Sequence, residues 1–249
     1  MSIFENVFLN TPLIRVNNRD LNIEFYQENL GLHLTYEENA IAILTGWENK
    51  ERQFIIEESP SMRTRAVKDG VKKLSRMRLK TNAAAIEALL ANGVEATAIF
   101  KGVKGYAFEV VSPEGDHVLL HAEDDYSNLE VTSDRDFKAI EGFQGLADFS
   151  FDGFELNIPS QETAVFYNDL IADGLPLNVS FTEREGEDLA VEPNVTWDLE
   201  IFEFKLKSGA DLTAIKDYFD AKGIAVYMDK KETILVLSDP SRIELWFSK

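Results

Sequence analysis

The chain contains no cysteine. Disulfides, thiolate metal centres and cysteine nucleophiles are therefore excluded. It is also short of basic residues, with 25 Lys and Arg against 44 Asp and Glu, a formal net charge of −19 over 249 residues. A surface of that sign repels phosphate backbones and anionic lipids, so neither nucleic acid nor a membrane is expected as a partner. No apolar run approaches the roughly 18 residues of a membrane span. The first residues, Met1 to Phe8, carry Glu5, and no basic residue precedes Arg15. They lack the positive start and apolar stretch of a secretory signal, so a cytoplasmic location is expected.

Hydrolytic motifs are missing as well. There is no His-Glu-x-x-His helix and no Gly-x-Ser-x-Gly elbow. Only His33, His117 and His121 could serve as a histidine base. Asp-Gly occurs at Asp69-Gly70, Asp152-Gly153 and Asp173-Gly174, without the context of an aspartic protease pair.

What is present is a repeated pattern. Apolar residues make up 45 % of the chain, enough for a substantial core. A strand over 11–16, a helix to about residue 30 stopped by Gly31, and strands over 32–36, 40–44 and 53–57 read as βαβββ. The same order recurs with a strand over 73–80, a helix over 83–92 and strands over 95–100, 106–111 and 117–121. Between Glu123 and Glu141 acids dominate and periodicity fades, the pattern of a linker. The second half repeats the plan, its helix carrying Phe166-Tyr167 as the first carries Phe25-Tyr26. Its turn Ser238-Asp239-Pro240-Ser241-Arg242 matches Ser112-Pro113-Glu114-Gly115-Asp116. Its third module shows one strand after the helix instead of three. The expectation is an α+β protein with an N-terminal domain over 1–124, an acidic linker over 125–146 and a reduced C-terminal domain over 147–249.

The order Leu13-Ile14-Arg15-Val16, Asp20, Phe25-Tyr26, Leu30-Gly31-Leu32, then Ser112-Pro113-Glu114-Gly115 before a last strand, resembles the glyoxalase-like vicinal oxygen chelate superfamily. That resemblance implies duplicated domains of paired βαβββ modules. A second resemblance spans nearly the whole chain. The stretches from Asn10 to Asn22, Phe54 to Pro60, Lys101 to Glu109, Glu192 to Glu200 and Val236 to Ser241 resemble the streptococcal CppA family. It implies a proteinase that degrades the third complement component, a host partner, and a secreted or surface location where that role holds.

The superfamily's divalent ion is held by His or Glu near the start of the first strand and Glu in the last strand. The matching positions are Thr11 and Leu119 in the first half, and Gly153 and Glu244 in the second. One carboxylate among four positions is no metal site, so neither metal nor cofactor is expected.

A local reversal of charge supplies the candidate site. Residues 63–80 hold eight basic residues and one acid. Strand alternation sends Met77 and Leu79 to the helices, leaving Arg76, Arg78 and Lys80 on the concave face. The same rule places Arg15, His117 and His121 on that face. Arg15, Arg76, Arg78, His117 and His121 would then form a cup for a small anionic ligand. The alternative is that these charges pair with Glu57, Glu109 or Glu123 on neighbouring strands.

Overall fold

The computed structural model describes residues 2–59 and 62–249; Met1, and Pro60 and Ser61 of the polar connector, lie outside the described residues. The first module is β1 (Val7–Val16), α1 (Arg19–Leu30), β2 (His33–Glu38), β3 (Ile41–Thr45) and β4 (Phe54–Glu58). The second is β5 (Leu74–Lys80), α2 (Ala83–Ala91), β6 (Ala98–Lys101), β7 (Tyr106–Val111) and β8 (His117–His121). A two-residue strand, β9 (Glu130–Val131), follows within the acidic stretch. The third module is β10 (Ser150–Ile158), α3 (Gln161–Ala172) and β11 (Val179–Glu183), with a single strand after its helix. The fourth is β12 (Leu199–Leu206), α4 (Leu212–Ala221), β13 (Tyr227–Met228), β14 (Ile234–Ser238) and β15 (Glu244–Ser248). The α+β class and the paired, reduced βαβββ plan are those expected. No helix among the described residues is long and apolar enough to cross a membrane.

Local chemistry sets the helix ends. Asn18 leaves the helical conformation and its side chain accepts from Leu21 N at 3.0 Å, satisfying one orphan donor of α1. Gly31 closes α1 in the left-handed region at φ 63, with its N–H on Gln27 O. Asn82 caps α2 in the same way, accepting from Ala85 N at 2.8 Å.

The chain divides into two compact units that interleave. Unit 1 comprises Met1–Arg15, Ser59–Lys73 and Leu156–Lys249; unit 2 comprises Val16–Glu58 and Leu74–Glu155. In unit 1 the strands run in the order β13, β14, β15, β12, β1. Here β1 is antiparallel to β12, with Leu9 opposite Phe204 and Leu13 opposite Ile201. Phe4, Phe204, Phe219 and Phe247 form its aromatic core; the Phe204 and Phe247 rings stack at 5.1 Å. In unit 2, β2, β3 and β4 form an antiparallel meander under α1. A second layer runs β5, β8, β7, β6, β9, with the start of β10 next to β5. Met77, Leu79, Val118 and Leu120 are all buried, as the alternation requires.

Each unit locks its first helix onto its last turn with a tyrosine. Tyr26 of α1 is fully buried near Ser112 and Asp116; Tyr167 of α3 is fully buried near Asp239. Burial, then the neighbouring carboxylate, raises both phenols well above the ordinary value, so both stay protonated. Asp239 accepts from Ser241 Oγ and from Ile243 N at 2.8 Å, and burial pushes its own carboxyl upward.

The acidic stretch after β8 is packed against unit 2. Tyr126 lies over Arg78, Asp134 accepts from Lys101 and Tyr106, and Phe137 meets Tyr106 edge-on at 5.0 Å. Leu146 is fully buried, its N–H on Gly31 O at 2.9 Å and its carbonyl on Trp47 N at 2.8 Å. This approach requires glycine at 145, where a Cβ would stand 2.2 Å from Gly31 O.

The turn between β13 and β14 gives a pH test. Asp229 accepts from Ile234 N, Thr233 N and Lys231 N, bonds that hold its carboxyl down at about 2. The folded value lies below the ordinary 3.8, so its contribution is complete above that value and lost as pH falls toward 2. A carboxyl-detected NMR titration should place the Asp229 midpoint near 2, and an Asp229→Asn variant should lose that part of the acid dependence.

Candidate functional site

The basic strand β5 lies beside β8 in parallel register, with Arg76 opposite His117, Arg78 opposite Leu119 and Lys80 opposite His121. Strand β7 adds Glu109 opposite Leu119. This places Arg76, Arg78, His117 and His121 together in unit 2. Arg15 belongs to unit 1. It is buried there against Glu200, with Nη2 2.7 Å from Oε2. The structure therefore brings four of the five candidate residues together.

The four are held by carboxylates. Arg76 Nε donates to Glu109 Oε2 at 2.7 Å, and His117 Nδ1 lies 3.0 Å from Glu109 Oε1. Arg76 Nη1 reaches Glu155 Oε2 at 3.5 Å, and Arg78 Nη1 donates to Glu155 Oε1 at 3.0 Å. Asp152 Oδ2 stands 3.6 Å from Arg78 Nε and 3.3 Å from His121 Nε2. Neither contact is a well-formed hydrogen bond, so Asp152 acts on both groups mainly through its charge. His121, then Arg78 and Lys80, hold the Asp152 carboxyl below the usual range against the opposing effect of burial. The Tyr126 ring covers the Arg78 guanidinium with its centroid 4.2 Å from Cζ, a cation–π contact. Lys80 is turned outward to Asp124 at 2.9 Å.

Two guanidinium groups thus meet three carboxylates, Glu109, Asp152 and Glu155. Of the acids expected as partners, Glu109 does pair here, with both Arg76 and His117. Asp152 and Glu155 were not foreseen, because they lie on β10, assigned by sequence to the other half. The alternation along Ser150–Ile158 was the available signal, since Asp152 is followed by Phe154, Leu156 and Ile158, all three buried. Exposure separates the residues. The Arg78 and His121 side chains are sealed, at 2 % and 0 %, whereas Arg76 and His117 remain open at 36 % and 46 %.

The donor set of the superfamily's metal does not fit a divalent ion here. Thr11 is buried with its hydroxyl on Pro12 O, and Leu119 is a buried aliphatic side chain on β8. Gly153 has no donor side chain, and Glu244 accepts from Trp246 Nε1 at 2.7 Å. Among the described residues no cluster of three or more His, Asp or Glu could hold a metal.

The histidines lack a nucleophile. Among the described hydrogen bonds, no serine or threonine hydroxyl reaches the His117 or His121 ring. His33, expected to be exposed or capping, is half-buried and stacks on Trp47 at 4.1 Å.

Comparison with known proteins gives two family profiles, described as CppA N-terminal over residues 9–132 and CppA C-terminal over residues 146–247. The crystal structure of the cppA protein from Streptococcus pneumoniae TIGR4 is 32 % identical, covers 98 % of both chains and superposes with a TM-score of 0.82. Glyoxalase I from Zea mays is 12 % identical over 98 % of this chain and 92 % of its own, with a TM-score of 0.59, a likeness of fold alone. No curated protein matches.

Two outcomes test the site. Removing Arg78 leaves Glu155 and Asp152 facing a sealed position, so Arg78→Met should destabilise by about 3–5 kcal/mol, whereas Arg76→Met should cost about 0–1 kcal/mol, read by urea unfolding. Elemental analysis of protein purified without chelators should find no stoichiometric zinc, iron or manganese.

Proposed function

We propose, on the premise that this chain belongs to the CppA family, that it is a metal-independent binding module on the glyoxalase-like fold. Its ligand is a small molecule bearing a carboxylate or phosphate, received by Arg76 beside His117. The observation that carries this reading is the split in exposure along one strand. Arg78 is sealed beneath Tyr126, while Arg76 keeps 36 % of its side chain open beside a half-exposed imidazole. Its second contact, to Glu155, is long at 3.5 Å. A guanidinium with one firm carboxylate retains N–H groups for a second, and a neighbouring imidazole adds a donor.

The family resemblance also implies a proteinase acting on the third complement component. His121 beside Asp152 is the feature that favours this reading, since a base with an orienting acid is two thirds of a hydrolytic triad. Against it, the imidazole is sealed and the described hydrogen bonds bring no hydroxyl to it.

Two measurements separate the readings. Thermal stability of wild type should rise with at least one member of a phosphate and carboxylate panel. Arg76→Ala should weaken that ligand about ten- to hundredfold, the loss of one charge-assisted hydrogen bond. An identical response of both proteins would remove the binding reading. Purified protein incubated with the third complement component should leave it intact. Cleavage that survives stringent purification and disappears in His121→Ala would instead establish the proteinase.

A further inference from the structure

Each unit sets the start of a helix against the turn before a late strand, and the two copies differ in one respect. Equating Tyr26 with Tyr167 equates Asn22 of α1 with Thr163 of α3. The turn bonds Ser112 N to Asp116 O and Asp239 N to Ile243 O equate Glu114 with Ser241 and Gly115 with Arg242. In unit 2 the Glu114 carboxylate fills the gap, accepting from Asn17 N at 2.9 Å and Asn22 Nδ2 at 3.2 Å. In unit 1 no carboxylate occupies the corresponding place. Ser241 stands there, and its hydroxyl is committed to Asp239 at 2.9 Å. Thr163 Oγ1, on a fully buried residue, has no hydrogen-bond partner. The α3 N-cap, Ser160, makes no side-chain capping bond.

An arginine has been put beside this gap at a conformational cost. Arg242 sits at φ 67, where its counterpart is Gly115 at φ 83. A bulky residue in that region is uncommon, and such strain accumulates where a side chain is needed. The Arg242 side chain is half-exposed and its ion pair with Glu192 is loose, at 3.4 Å. It borders a cleft of about 460 Å³ together with Glu162, Phe166, Ile224, Ser238 and Pro240. Thr163 lies three residues before Phe166, on the same side of α3.

We propose that this cleft binds a free α-amino acid with an apolar side chain, its carboxylate taking the place that Glu114 fills in unit 2. The carboxylate accepts from the Thr163 hydroxyl and from Arg242, which exchanges Glu192 for it. The ammonium pairs with Glu162. The side chain lies on Phe166, Ile224 and Pro240. A bare anion is a poorer match, because Glu162 and Glu192 repel it unless it brings a positive charge. This site is in unit 1 and does not depend on the reading of Arg76.

The probes are leucine, phenylalanine, 4-methylpentanoate and 3-methylbutylamine, titrated at millimolar concentration and followed by amide shifts in NMR spectra. Leucine or phenylalanine should saturate with shifts at the start of α3 and in the turn 239–242. The acid and the amine should each bind about tenfold or more weakly, for want of one charged partner. Arg242→Gly should weaken the amino acid about tenfold while leaving Tm equal or higher, since the strain is relieved. Ser241→Glu should abolish binding by supplying the internal carboxylate. Thr163→Val should weaken binding and replaces Ser241→Glu if loss of the Asp239 bond prevents folding. The proposal is overturned if no probe shifts these amides, if the bare acid binds as well as the amino acid, or if Arg242→Gly binds like wild type.

Discussion

A guanidinium taken out of water must take its counter-charge with it, and the organisation of unit 2 depends on that requirement. Arg78 is among the largest fully buried side chains, in a sheet whose other interior members are Met77, Leu79, Val118 and Leu120. Unpaired, it would be prohibitively unfavourable. Glu155 and Asp152 make it tolerable, and so they fix the start of β10 beside β5. Tyr126 completes the enclosure and, with Asp134 and Phe137, ties down the acidic stretch that follows β8. Arg15 repeats the logic in unit 1, where Glu200 answers it from β12 and Arg15 N bonds Asp198 O at 2.9 Å.

The repeat is preserved where it bears on packing and varied where it faces outward. Both phenols, Tyr26 and Tyr167, are held protonated by burial beside an acid, and both pin a helix to a turn. Around these locks the two copies diverge. Glu114 caps one helix start from the turn, whereas the other has Ser241 and the strained Arg242. Core positions tolerate little change in volume, while a turn tip can exchange a carboxylate for a guanidinium without disturbing the strands it joins.

How much of this was legible in the sequence depends on the range of the interaction. Alternation placed Met77 and Leu79 in the core and Arg76 and Arg78 on the opposite face, because strand geometry is local. The Phe-Tyr helices and proline turns announced the duplication for the same reason. The ion pairs were only partly visible. Glu109 was identifiable because β7 and β8 are joined by a short turn. Glu155 and Asp152 were not, because their strand follows a long acidic stretch whose charge and lack of periodicity read as a linker. That stretch is anchored by particular contacts, such as Leu146 on Gly31 and Trp47, which no periodicity encodes. Arg15 was grouped with Arg76 because both alternate outward, but pairing with β12 assigns it to Glu200, 185 positions away.

The charge balance of the site also bears on the chemistry this fold can support here. A divalent ion in a glyoxalase-like sheet contributes two positive charges that acidic and imidazole ligands neutralise. In this chain the metal positions carry Thr11, Leu119 and Gly153, and two arginines supply the positive charge from within the strand itself. Guanidinium groups orient anions and stabilise negative charge, but they do not activate water as a Lewis acid does. Their internal partners, Glu109 and Glu155, must be displaced or shared when a ligand arrives, so each binding event exchanges one ion pair for another. Selectivity on such a face follows from geometry at the open group. That group is Arg76, because Arg78 cannot leave Glu155 without stranding a charge in the core.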